Sequence, residues 1–254
     1  ECEALTDNGG GLYADNSTIN ISGGTISGCK GVWGGGLYAD NSTITISNGA
    51  ISGCKGGCGG GLYAKNSSTV TISGGTISGC KAGTGAGGGL YAKNQSTITI
   101  NNGTISGCEA GAGGGLFADN SAITINKGTI SGCEAAIKEG GGLYAKNKST
   151  ITISGGTISG CKAWSSGKGN GGGLYADNST INISGVTISG CDGRWGGGLY
   201  AENSPTITIT DSTISGCKAG AGGGLCVVGS TLNIKDDIIS ECIASDTGKG
   251  GGLY

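Results

Sequence analysis

Apolar and polar residues alternate one for one over short runs of this chain. A representative stretch reads Leu37-Tyr38-Ala39-Asp40, then Thr43-Ile44-Thr45-Ile46, then Ala50-Ile51-Ser52. A period of two predicts strands with one face buried. Leu37 and Ala39 are expected on one face, with Tyr38 and Asp40 on the other. Ile44, Ile46 and Ile51 are expected inside. Glycine, asparagine and serine fill the joints, where the backbone must bend or take positive φ. No helical period fits, and β-branched Thr and Ile disfavour helix.

The same phrase returns along the whole chain. Gly-Gly-Leu recurs with its leucine at Leu12, Leu37, Leu62, Leu90, Leu116, Leu143, Leu174, Leu199, Leu225 and Leu253, at intervals of 25 to 31 residues. A period of this size means a repeat architecture in which each unit buries itself against its neighbours. Three short strands per repeat match one coil of an all-β, single-stranded parallel β-helix. Residues 1–254 are therefore expected to form a single solenoid domain of about ten coils of 25–31 residues. At about 4.8 Å per rung the rod would be roughly 45–50 Å long. Columns such as Ile44, Val70 and Ile98, or Ile51, Ile77 and Ile105, would fill its core, and β-branched residues suit such strands. Length varies between each cysteine and the next Gly-Gly, so that corner carries the loops.

Composition narrows the function classes. Glycine supplies 60 of 254 residues and proline one, Pro205. The strict apolar register nevertheless argues for a folded chain. The net charge is -2 and histidine is absent, so the chain has no concentrated basic face for nucleic acid. No apolar run reaches bilayer length, and no stretch of these residues is expected to be a signal peptide. Glu1 and Tyr254 both fall partway through a repeat, which predicts a mature product or a segment of something longer.

Four further columns are candidates for function. Cysteines recur at Cys2, Cys29, Cys54, Cys80, Cys108, Cys133, Cys161, Cys191, Cys217 and Cys242. A charged residue usually follows, which turns the cysteine inward. Two readings stay open: a ladder of small buried thiols, or disulfides between adjacent rungs in an oxidising compartment. Cys58 and Cys226 lie off the column. Without Cys-x-x-Cys or histidine, a metal site is not expected, and no cofactor is implied. The aromatics Tyr13, Tyr38, Tyr63, Tyr91, Phe117, Tyr144, Tyr175 and Tyr200 are expected as an exposed stripe, stabilising the sheet by stacking, binding sugar rings or packing against another rod. Trp33, Trp164 and Trp195 in the adjacent loops would widen it.

Asparagines at Asn16, Asn41, Asn66, Asn94, Asn120, Asn147, Asn178 and Asn203 read as a buried amide ladder at a turn. Asn20, Asn102 and Asn182, on outward positions or turns, are the better candidates for glycosylation. Outward Thr-x-Thr pairs, among them Thr43 and Thr45, Thr69 and Thr71, Thr97 and Thr99, and Thr150 and Thr152, make a regular hydroxyl grid. Threonine is a good outward strand residue in any case, and Asn20, Ala122, Asn182 and Asn233 interrupt the grid. Asp192 with Arg194, and Asp236 with Asp237, are the only acidic groupings worth weighing for catalysis, and neither forms a convincing constellation.

Gly35-Gly36-Leu37-Tyr38 and Ile51-Ser52-Gly53-Cys54 together resemble the paired motifs of polymorphic outer-membrane-protein repeats. More broadly they are similar to the repeats of surface proteins with a right-handed, pectin-lyase-like β-helix. This chain departs by placing cysteine where those repeats usually place asparagine. The resemblance implies a right-handed coil, extracellular or cell-surface display, and a role in adhesion or scaffolding. The Thr-x-Thr grid resembles the ice-binding face of β-solenoid antifreeze proteins. The expected function is a non-catalytic extracellular rod, part of a surface adhesin or fibre. The alternative is a module binding ice through threonine or glycans through tyrosine. Open end rungs without caps predict head-to-tail or lateral self-association, or coverage by further chain.

Overall fold

In the computed structural model, which describes residues 2–4, 8–163, 169–245 and 249–254, the chain winds as a stack of coils. The first strand of every coil joins one nine-stranded parallel sheet, beginning Leu12–Asp15, Leu37–Asp40, Leu62–Lys65 and ending at Leu225–Val228. The second and third strands share a 16-stranded sheet. Coil two contributes Thr43–Ser47 and Ala50–Ser52 to it. In two coils these strands run together, as Ala122–Ser131 and Thr150–Ser159.

Register is residue on like residue. Leu37 pairs with Leu62, and Ile44 with Val70. A fourth, two-residue ladder follows the cysteine, as in Glu109–Ala110 and Glu134–Ala135. Nine coils are complete. The tenth Gly-Gly-Leu only enters the next coil, where Leu253 bridges Leu225. The rod is correspondingly about 40 Å long.

One hydrophobic core runs the length of the stack. Its leucine, alanine, isoleucine and cysteine columns are almost fully buried, with Leu37, Ala39, Ile44 and Cys54 all at 0% exposure. The inward assignments made from alternation hold through the inner coils, whereas in the first and last coils Ile19, Ile26, Leu232 and Ile239 are only partly buried and Ile234 is exposed. The Gly-Gly pair is a steric requirement: a Cβ on Gly61 would lie 2.6 Å from the Gly89 carbonyl oxygen and 2.9 Å from an Ile77 methyl. Coils approach so closely here that only hydrogen fits.

The bend after the first strand is made by asparagine in the left-handed region, with φ of 44° at Asn41 and 53° at Asn66. Asparagine tolerates that conformation better than other non-glycine residues. Where the bend is one residue longer, the added Ser67, Gln95 and Lys148 are left-handed too. The following serine then returns to register.

Candidate functional site

The aromatic column is not an exposed stripe. Tyr38, Tyr63, Tyr91 and Phe117 are buried with Ala112 in one cluster, and Tyr175 and Tyr200 with Cys226 in another. Tyr144, half-buried, packs against both, and Tyr13 alone is largely exposed, at 52%. The rings do point away from the main core, as alternation requires. The variable loop folds back over them and makes a second, smaller core. In several coils the residue just before Gly-Gly-Gly does the covering. Cys58, Ala86 and Ala112 pack on the first cluster, and Trp195 on the second. Trp33 lies 5.9 Å from Tyr63, centroid to centroid. Trp164 lies outside the described residues. That covering column is visible in the sequence as Trp33, Cys58, Ala86, Ala112, Trp195 and Ala221, but its members differ too much to read as one position.

The ring geometry changes along the column. Tyr13, Tyr38 and Tyr63 lie ring on ring, whereas Tyr63, Tyr91 and Phe117 meet edge to face at 4.9–5.0 Å. Burial pushes the Tyr63 phenol up to about 12 and raises Tyr91, Tyr144 and Tyr200 as well. The Tyr175 hydroxyl, also raised by burial, donates to Glu202, and Tyr200 donates to the same carboxylate at 3.2 Å. A cleft of about 410 Å³ opens beside Trp33, lined by Tyr38, Tyr63, Lys65, Asn66, Lys93 and Asn94.

The cysteine column faces inward as free thiols, from Cys29 to Cys217 fully buried. The Cys54 thiol donates to the Ser52 carbonyl at 3.4 Å and reaches the Ile26 carbonyl of the preceding coil at 3.7 Å. Hydrogen bonding with the Cys108 thiol pushes Cys80 up to about 12. Off the column, burial raises Cys58, and carries Cys226 up to about 11. A raised pKa keeps a thiol protonated and poorly nucleophilic at neutral pH.

The asparagine ladder is exposed, not buried. The Asn41 amide donates to Asn16 at 2.6 Å and that of Asn94 to Asn66 at 3.0 Å, while Asn66 and Asn147 donate to Asp40 and Asp119. The left-handed turn throws these side chains outward, so burial does not separate them from the glycosylation candidates. Asn20 and Asn102 are exposed and Asn182 is half-buried.

Beneath this corner runs a serine ladder that the alternation did not disclose. Ser68 is fully buried; its hydroxyl donates to the Lys65 carbonyl at 2.6 Å and accepts from the Ser42 N–H at 3.1 Å. Ser121, Ser149 and Ser204 repeat the arrangement. The signal was a serine before the second strand of every coil, which reads as ordinary turn composition.

The outward hydroxyl grid is real. Thr43, Thr69, Thr97 and Thr150 are exposed, and Thr45, Thr71, Thr99 and Thr152 half-buried, all on one face of the 16-stranded sheet. The acidic groupings have structural partners. Arg194 stacks over Trp195 at 4.9 Å, and Asp237 accepts from the Ser212 and Lys235 backbone N–H groups at 2.6 and 3.2 Å. Lys65 pairs with Asp40 at 2.9 Å and Lys146 with Asp119 at 3.5 Å across adjacent coils. Among the described residues no three His, Cys, Asp or Glu side chains are grouped to hold a metal ion, and no helix is long and apolar enough to cross a membrane.

No curated protein and no solved structure matches the chain. The family model described as "Right handed beta helix region" matches residues 1–111 and 88–254. These matches span every repeat, and the hand agrees with the near-universal sense of crossovers between parallel strands. With its coil-on-coil register and continuous core, the chain belongs to the right-handed β-helix family.

Proposed function

We propose that this chain is a non-catalytic structural rod, part of an adhesin or fibre at the cell surface or outside the cell. The observation that carries the reading is the uniformity of the stack. Each coil repeats the same leucine, isoleucine, cysteine and serine columns in the same register. Such a sequence converts chain length into rod length at one rung per repeat. The family includes enzymes as well as non-enzymes, so function has to be argued from sites rather than from the fold. The carboxylates here are spread along columns, several of them paired with lysines of neighbouring coils.

The test is antibody labelling of the source cells, intact and permeabilised. Labelling of intact cells or their extracellular fibres is expected; labelling only after permeabilisation would overturn the reading.

A further inference from the structure

We propose that the outer face of the second strands binds ice. Three columns make this strip, containing the residues equivalent to Thr43, Thr45 and Ser47. From the first coil to the eighth it carries no charged side chain. A soluble surface normally intersperses charges at roughly a quarter or more of its positions. Most charges here lie on other columns, after the alanine and after the cysteine, while Lys127, Lys148 and Asp211 stand in the turns that bound the strip. The strip therefore has a chemistry of its own, which the role as a rod does not require.

Its geometry is a lattice. Thr43, Thr69 and Thr97 are consecutive Cα partners across rungs, and so are Thr45, Thr71 and Thr99. Rungs repeat at about 4.8 Å and alternate residues at about 6.6 Å along the strand. The rung repeat lies near the shorter lattice repeat of hexagonal ice, and the repeat along the strand falls short of the longer one. Threonine is β-branched and stiff at χ1, so its hydroxyl and methyl are held in place before any ligand arrives. A hydroxyl donates one hydrogen bond and accepts others, as water does. Irregularities lie within the strip: Ala122 interrupts the first column, Asn20 and Asn182 the second, and Asn101, Asn126 and Thr210 replace serine in the third.

Other occupants fit less well. A crystalline polysaccharide would be met by aromatic platforms, and this strip has no aromatic residue. A second copy packed face to face would bury hydroxyls without assured partners.

The test is ice growth in solutions of the purified chain, up to millimolar concentration, read as crystal faceting and as thermal hysteresis. Faceted crystals and measurable hysteresis are expected. The double variant Thr71→Lys/Thr99→Lys should lose at least tenfold of that activity with an unchanged circular dichroism spectrum. Lys55→Ala, on the column behind the cysteines, should retain it. Should the lysine pair unfold the chain, the single variant Thr45→Tyr in the same strip takes its place. Round, unfaceted crystals without hysteresis in the wild type would overturn the proposal. So would a folded strip variant as active as wild type, or retention on cellulose or chitin powder with no affinity for ice.

Discussion

At the scale of single residues, the coil is held by side chains that serve two rungs at once. Ser68 is the clearest case, because its one hydroxyl satisfies a carbonyl of its own turn and an amide of the coil before. Replacing it by alanine leaves the Ser42 N–H buried and unpaired, at a cost of about 1–3 kcal/mol, while the Lys65 carbonyl still accepts from the Asn41 and Ser68 N–H groups. Denaturant titration of Ser68→Ala should show that loss as a lower midpoint; an unchanged midpoint would mean that water replaces the hydroxyl. The inward Leu, Ile and Cys positions were legible because alternation fixes which face a residue takes. Ser68 was not, since a serine in a turn looks the same whether its hydroxyl meets water or the neighbouring rung. Asn41 misled for a related reason. Its recurrence indicated a ladder, but only its left-handed φ showed the side chain thrown outward.

At the scale of elements, the first strand carries core on both faces. Alternation placed Tyr38 opposite Leu37 correctly, and from there exposure was the natural expectation. What covers the ring is the loop before the next Gly-Gly-Gly, whose length and composition change from coil to coil, so no periodic signal announced it. Burial there has a pH consequence. The ordinary tyrosine value is 10.0, and Tyr63 is pushed up to about 12. Below pH 10 the phenol is protonated in both folded and unfolded chains, and its contribution to stability is fully present. Above that value the unfolded chain releases the proton while the folded chain retains it, so stability falls as pH rises through the folded value. Tyr91, Tyr144, Tyr175 and Tyr200 are raised in the same direction and add to the loss. Stability against denaturant should therefore be insensitive to these groups at neutral pH and decline above pH 10. Tyrosinate absorbance from the buried rings should appear together with unfolding. Ionisation of most tyrosines near their ordinary value, with the fold intact, would show the column open to water.

At the scale of the whole molecule, the repeat interval alone set the architecture, because a coil cannot bury its apolar face without a neighbour. A recurring Gly-Gly-Leu marks where a coil is entered, so the ten of them correspond to about nine turns of the stack, with Leu253 bridging Leu225 at the last. Interchangeability of coils is the property on which the rod depends, and removing one coil measures it directly. Deleting residues 62–89 joins Gly61 to Leu90, a junction identical in sequence to the one it replaces. Solution scattering of this shortened chain should report a folded rod reduced by one rung, about 4.8 Å. An expanded, unfolded profile, or a compact particle with no loss of length, would contradict a stack of equivalent coils.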